Sequence, residues 1–402
     1  MKAYTYVIAG NGITGLSAAE EIRKNDPEGS ILMISRERHL TYYRVKLSHY
    51  INEDFKDSDI LVHEKKWYED RKIDVLLESE IQKIDFKESV VILDAEKIKY
   101  QKLLLATGSS PFVPPAKGLN QTGVFSFRTL DDLRTVQHYF RKVDRVAVVG
   151  GGILGVEAAW AVHELGKSVQ IVEFVPHLLN RQLDDELSDE FASRLEKEGV
   201  EIYTGAGAEE IKGEEHVESV KVSDGREFKT DAVLFSCGIR SNTGLAKDSL
   251  VEVSRGIVVD NRMKTSVENV YAAGDVAELN GVTLGLWTAG MAQGKVAGKN
   301  MAGVRTEYQL EKPATMLNLN DIRIFSVGNA SSELFALETP TGRDDGKIKL
   351  FFQEERLAGG VLVSDTRYML DLKRAVFENR DCSEFIDQQM NALEIIEAIK
   401  KG

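Results

Sequence analysis

A chain of 402 residues, 43% hydrophobic and 29% charged, is too long for one ordinary core and reads as a globular protein of two or three domains. Its net charge of −13 excludes general nucleic-acid binding, because a polyanion would be repelled overall. Its two cysteines, Cys237 and Cys382, lie far apart without C-x-x-C spacing, which excludes a local dithiol motif and a cysteine-held metal site.

The first strand is expected to begin almost at Met1, which leaves no room for a signal peptide. The most apolar run, residues 146–162, is too short to span a bilayer and is broken by Glu157 and four glycines. A cytoplasmic location is the default expectation. Residues 4–9 read as a buried strand and residues 13–24 as a helix. Between them, Gly10-Asn11-Gly12-Ile13-Thr14-Gly15 forms G-x-G-x-x-G. In such a loop Gly10 allows the tight turn, Gly12 admits backbone close to a pyrophosphate, and Gly15 lets helix and strand pack closely. The phosphates would meet free N–H groups at the positive end of the helix dipole.

A second strand, residues 30–34, ends in Ser35-Arg36-Glu37, and Glu37 is the candidate for the ribose-binding acid. Residues 40–49 form an aromatic and cationic loop. Residues 57–71 look helical, residues 73–93 look like short strands with a small hairpin, and residues 102–106 form another buried strand ending at Thr107-Gly108. Pro111, Pro114 and Pro115 then fall within five residues, although the chain has only seven prolines, which signals a linker.

The glycine loop recurs as Gly150-Gly151-Gly152-Ile153-Leu154-Gly155, after a strand at residues 145–150 and before a helix at 153–165. The next strand, residues 168–172, ends at Glu173, a carboxylate placed to accept bonds from both ribose hydroxyls and to repel a 2′-phosphate. NADH is therefore expected over NADPH. Asp224-Gly225 signals a hairpin, and an apolar strand at 233–236 leads to Cys237, expected as a packed core thiol. Residues 256–260 and 270–273 read as strands, the second running into Gly274-Asp275. Residues 287–302 read as a helix whose small residues suit close approach to a flat ligand. Beyond residue 311, strands at 322–327, 347–352 and 357–363 precede two amphipathic helices near 365–379 and 382–400. Cys382, in a polar stretch, is expected to be incidental.

Two such sites suggest one bound FAD and one exchanging nicotinamide, with the rings meeting at the cleft. A flavin can accept the hydride and release electrons singly. The seven histidines do not cluster, and no metal constellation is expected.

The sequence resembles the FAD-dependent pyridine nucleotide oxidoreductases, the superfamily that includes glutathione reductase. Within it, the likeness is to NADH:rubredoxin oxidoreductases and the flavin portion of nitrite reductases. The residues that carry it are Tyr43-Arg44-x-x-Leu47-Ser48, Ala106-Thr107-Gly108-Ser109, residues 150–157, residues 270–278, and Trp287 with Gln293-Gly294. The resemblance implies an α/β fold of two Rossmann-like domains plus a small α+β C-terminal domain. The expected division is 1–112 with 237–310 for FAD, 113–236 for NADH, and 311–402.

It also implies roles. Gly10, Gly12 and Gly15 would hold the FAD pyrophosphate, Glu37 the adenosine ribose, Gly108 the cleft wall, and Asp275, after Gly274, the ribityl chain. Arg44 and Lys46 would lie along the FAD, one on phosphate and one near the flavin. Gly150, Gly152, Gly155 and Glu173 would hold NADH, Glu157 would face the nicotinamide amide, and the helix at Trp287 would aim its N-terminus at the flavin.

Related reductases carry a lysine where this chain has His49, so the cation beside the flavin is Lys46 or His49. No cysteine occurs in residues 42–50, where the thiol-relay members place theirs, so electrons are expected to leave directly from the flavin. The implied partner is a small electron-carrier protein, rubredoxin or ferredoxin, docking on a basic patch drawn from Arg343, Lys347, Lys349, Lys373 and Arg374. The rival readings are an electron-input subunit of a nitrite-reductase-like complex and a slow-turnover redox sensor.

Overall fold

The computed structural model of the chain describes residues 1–310, 312–343 and 345–401. Its first sheet runs, in spatial order, Ile73–Leu76, Ile31–Ile34, Lys2–Ala9 and Lys97–Leu105, all parallel, with Val90–Ile92 and Lys83–Asp85 added antiparallel. Ile31 to Ile34 are all buried, as a strand covered on both faces requires. The chain leaves this sheet after Leu105 and returns at Val270–Ala272, which pairs in parallel with Lys97–Leu105. The second sheet is wholly parallel, in the order Glu201–Tyr203, Ser168–Val172, Arg145–Val149, Ala232–Phe235 and Val124–Ser126. A three-stranded antiparallel sheet beside it contains the hairpin expected at Asp224-Gly225, formed by Ser219–Val222 and Glu227–Lys229.

The proline-rich stretch is more than a linker. Ser109–Pro111 pairs antiparallel with Ile239–Ser241, so the outgoing and returning passes of the chain form one ribbon.

The helices α1 (Ile13–Asn25) and α5 (Ile153–Glu164) follow the two glycine loops. The helix expected at 57–71 is two short ones, α2 (Asp57–Ile60) and α3 (Lys65–Asp70). Between them Leu61 bridges Tyr42, and the Val62 N–H donates to the Thr41 carbonyl, so the backbone there is taken by a neighbouring segment. Two helices escaped the reading of the sequence. They are α4 (Leu130–Phe140), started by a reciprocal Thr129–Asp132 capping box, and α6 (Asp185–Lys197), capped by Asp184.

Helix α7 (Trp287–Met301) corrects one expectation. Its glycines Gly290, Gly294 and Gly298, four residues apart, do not face a ligand. A Cβ on any of them would strike Thr14 or Ala18 of α1, so the stripe exists to bring two helix backbones together.

The C-terminal sheet is antiparallel, in the order Ala314–Leu319, Ile322–Gly328, Arg356–Val363, Lys347–Gln353 and Phe335–Pro340. The first and last of these strands were not anticipated. Phe325, Val327, Leu350 and Phe352 face α8 (Met369–Phe377) and α10 (Ala392–Lys401), with α9 (Ser383–Asp387) between. Ile324, Phe351 and Val361 face the second unit. Cys382 is buried in the helical core of this domain, so it is a packing residue and not incidental. No helix among the described residues is long and apolar enough to cross a membrane.

Three of the five residues expected to form a basic patch on this domain are held in ion pairs. Lys349 is 7% exposed and its ammonium sits 2.7 Å from Asp184, 2.6 Å from Glu186 and 3.5 Å from Glu338. Lys347 pairs with Glu190 and with Glu338 (3.2 Å), and Arg374 pairs with Asp371 (3.6 Å). The lysines therefore fasten the C-terminal sheet to the start of α6. Removing one partner of a buried pair leaves an uncompensated charge. Lys349→Met is expected to lower unfolding free energy by about 3–5 kcal/mol in urea, and adding Asp184→Asn should restore part of the loss. Equal losses in the single and double variants would show that packing, not charge, is at stake.

Candidate dinucleotide cleft

The two glycine loops have the same construction. Gly10 (φ +125°) and Gly150 (φ +119°) adopt a backbone that favours glycine, and a Cβ on either would strike the carbonyl ending a neighbouring strand, Ala106 or Ser236. A Cβ on Gly15 or Gly155 would strike the carbonyl of Gly10 or Gly150, which is how each helix start sits so tightly on its strand end. Around Gly12 and Gly152, by contrast, a Cβ would meet nothing within 4 Å. These two are the N-caps of α1 and α5, with no side-chain cap and no acid in the first turn. Each loop thus presents uncapped N–H groups and a helix dipole to open space, a ready anion cradle.

The acids fall where they were expected, but each is engaged by protein groups. Glu37 accepts the Tyr42 hydroxyl at 2.7 Å and the Arg44 guanidinium at 2.8 Å. Burial opposes its ionisation, yet Arg44 and Tyr42 outweigh burial and hold the carboxyl below its ordinary value. Arg44 also lies 4.8 Å from the centre of the Tyr42 ring and donates to the Arg128 carbonyl at 2.5 Å. The Arg128 side chain in turn binds Asp275 at 2.5 Å, and Ser109 donates to the same carboxylate oxygen at 2.8 Å. The cluster Tyr42–Glu37–Arg44–Arg128–Asp275–Ser109 therefore draws four separate parts of the chain into one half-buried charge network. Gly274 (φ +80°) lies against Thr14 and donates its N–H to Gln293 at 2.8 Å, which locks Asp275 beside the start of α1. Gly108 (φ +65°) has open space before it and accepts from Asn242.

Around the second loop, Glu173 accepts the N–H of Gly151 at 2.5 Å and of Val175 at 3.1 Å, fixing the carboxylate at the rim of the cradle. Glu157, on α5, accepts the Ser48 hydroxyl at 2.8 Å. Burial raises its carboxyl above the ordinary value, with Ser48 and the charge of His49 pulling the other way. Lys46 does not enter this cluster. It is exposed, with its ammonium 5.0 Å from the Tyr43 ring, whose centre lies 6.0 Å from Trp287 at the start of α7.

Arg128, Tyr42, Ser48 and Ser109 had been given no role from the sequence. A lone arginine directly before the capping box of α4 was the only signal for Arg128. Ser48 and Ser109 stood inside motifs without a partner to point at.

Residues 4–294 match the family model described as pyridine nucleotide-disulphide oxidoreductase. The chain belongs to that family. It is an oxidoreductase family that works with FAD and NADH. Residues 313–380 match the rubredoxin NAD+ reductase C-terminal domain. Among relatives, a nitrite reductase [NAD(P)H] of Bacillus subtilis is 34% identical over 94% of this chain and 48% of its own length. The NADH-rubredoxin oxidoreductase of Clostridium acetobutylicum is 30% identical over 94% of this chain and 95% of its own. A crystal structure of NADH:rubredoxin oxidoreductase from the same organism superposes with a TM-score of 0.78 at 28% identity, covering 94% and 96% of the two chains. The chain spans about half the length of the nitrite reductase relative.

The family name includes a disulphide, but Cys237 and Cys382 are both free thiols. Cys237 is half-buried and donates to the Val149 carbonyl at 3.2 Å, and burial pushes each thiol up to about 11. Neither is a thiolate near neutrality.

A raised carboxyl binds protons more tightly folded than unfolded, so Glu157 costs stability as pH climbs above the ordinary carboxylate value. Relative to the native chain, Glu157→Gln should gain Tm progressively as pH rises above the ordinary carboxylate range, from about pH 4 upward. A difference flat across that range in thermal melts would contradict a buried, proton-holding Glu157.

Proposed function

We propose that this chain is an FAD-dependent NADH oxidoreductase that passes electrons to a small one-electron carrier protein, with rubredoxin the first candidate. The observation that carries the reading is the pair of open glycine N-termini, each with its own carboxylate, joined by one segment, residues 42–49, that bonds Glu37 on one side and Glu157 on the other. The match of residues 313–380 to the rubredoxin reductase C-terminal domain supports the choice of carrier.

The chemistry that bound FAD supplies is acceptance of a hydride and release of electrons singly. The residues of the chain bind and orient. Gly10, Gly12 and Gly15 form the first diphosphate cradle, with Glu37 toward the adenosine ribose and Arg44 toward phosphate. Arg128 joins this set, since its guanidinium lies beside Asp275, the candidate for the ribityl hydroxyls. Gly108 leaves backbone open toward the ligand, Gly274 packs on Thr14 and so holds Asp275 beside α1, and the uncapped start of α7 at Trp287 favours negative charge on the reduced ring. Gly150, Gly152, Gly155 and Glu173 form the NADH cradle. Glu157, steadied by Ser48, is positioned for the nicotinamide amide. Lys46 is better suited to the rim than to the ring, and His49 is the basic side chain whose field reaches Glu157.

The domain division at 112, 236 and 310 fits the ribbon of Ser109–Pro111 with Ile239–Ser241. A cytoplasmic location is consistent with two unpaired thiols. A second reading, the electron-input portion of a nitrite-reductase-like assembly, is favoured by the half-length match to the Bacillus subtilis enzyme.

The purified protein should show a flavin spectrum that bleaches with NADH at far lower concentration than with NADPH. Rubredoxin should then reoxidise it faster than ferredoxin, quinone or oxygen. A protein that retains no flavin would overturn the reading, and a flavin that only a co-purifying partner reoxidises would favour the second. Glu173→Arg should raise the NADH KM at least about tenfold, through loss of two ribose hydrogen bonds of about 1 kcal/mol each. An unchanged KM would place the ribose elsewhere.

A further inference from the structure

On the electron-carrier reading above, the chain needs a place where the carrier can dock. With a net charge of −13, most of its surface repels an acidic partner. The lysines of the C-terminal sheet are spent on internal ion pairs. A docking face must therefore be free of carboxylates and must lie at the ring end of the first cradle.

Asp and Glu supply 64 of the 402 residues, yet none occurs from Leu279 to Thr306 or from Arg38 to Asn52. The fold brings these two stretches together where Tyr43 meets Trp287. Gly290, one turn into α7, approaches both Thr14 of α1 and Gly274, so this junction stands at the edge of the first cradle. A third segment arrives from the ribbon. The Ile239 side chain packs on Gly285, two residues before Trp287, so the ribbon that carries Arg240 abuts the start of α7. Arg240 is exposed and lies 4.2 Å from the centre of the Phe112 ring. Val45 is 45% exposed, and Lys46 is exposed above Tyr43. Neither Lys46 nor Arg240 has a carboxylate partner among the described residues. The nearby acids do not cancel them, because Glu37 is paired with Arg44 and Glu157 is buried behind Ser48.

We propose that Val45, Lys46, Trp287 and Arg240 form the docking face for a small acidic one-electron carrier protein. An apolar and aromatic centre with cationic flanks has the make-up of a protein interface, and its flanking charges act chiefly on the association rate. The contact is small and transient, as electron-transfer encounters are.

The test uses the FAD-loaded enzyme with rubredoxin as the acidic carrier and a neutral quinone as the control acceptor. Val45→Glu and Arg240→Glu should each raise the KM for rubredoxin at least fivefold and flatten the dependence of kcat/KM on ionic strength. NADH-to-quinone turnover should stay within twofold. Val45→Lys should lower the KM for rubredoxin, a gain that structural damage would not produce. Unchanged rubredoxin KM in all three variants, with quinone turnover intact, would overturn the docking face. A native enzyme whose flavin NADH reduces but which never reduces rubredoxin would instead overturn the carrier reading and remove the basis for the face.

Discussion

The constraint on which the molecule depends is the contact of a helix start with the strand end that precedes it. In both units the third glycine of the loop lies against the carbonyl of the first, and no other residue type has room there. Bringing helix and strand that close leaves the second glycine facing open space with its N–H groups unspent. The same economy recurs where α7 meets α1 through Gly290, Gly294 and Gly298. Missing Cβ atoms thus hold the first unit together as well as emptying its cradle. The cost is entropic, since each glycine gives up more backbone freedom on folding than an alanine would. That cost is offset by strands buried on both faces directly behind the loops.

Two cradles on separate sheets do not make a site unless something fixes their relation. The segment from Tyr42 to His49 does this with alternating side chains. Tyr42 and Arg44 reach Glu37 of the first unit, Ser48 reaches Glu157 on α5 of the second, and Tyr43 turns toward Trp287. Leu47 and Ile51, fully buried in the cluster that includes Val156 and Leu130, anchor it between those contacts. One short stretch therefore touches both glycine-loop units and the start of α7.

The fold was legible in the sequence where local chemistry and final structure agree. Ser168–Val172 is short, built on three β-branched residues and followed at once by the acid Glu173, and it is a strand with those limits. The helix expected at 57–71 failed because a long-range bridge from Tyr42 to Leu61 overrode local propensity, and such bridges leave no periodic trace. The glycines of α7 were visible, but their purpose was not, since a small-residue stripe serves a helix neighbour or a ligand equally well. Charges were the least legible. Lys347 and Lys349 look like a surface patch in the sequence and are internal fasteners in the fold, because their partners on α6 lie far away along the chain. Arg128 and Ser109 were overlooked for the same reason: each acts through Asp275, more than a hundred residues on.

The half-buried network along the first cradle explains how a chain can keep charges in place for a ligand without a heavy penalty in its absence. Arg44 and Arg128 are each neutralised by a carboxylate, Glu37 and Asp275, so desolvation is matched by ion pairing and hydrogen bonds. Burial pulls the Arg128 guanidinium down, and Asp275 pulls it back toward the charged form. The pairs leave the cradle close to electrically neutral, and the attraction for a diphosphate falls to the two backbone-lined helix starts, whose dipoles cannot be titrated. On the proposed reading, specificity and affinity are thereby separated: glycines and helix ends would take the phosphates common to every dinucleotide, while the carboxylates would distinguish the sugars. Cys237, the thiol beside the second loop, is held protonated by burial and is no thiolate near neutrality. What remains for the rest of the cleft is to expose one edge of the ring. The acid-free rim around Trp287 is the place where an otherwise repulsive surface permits that approach.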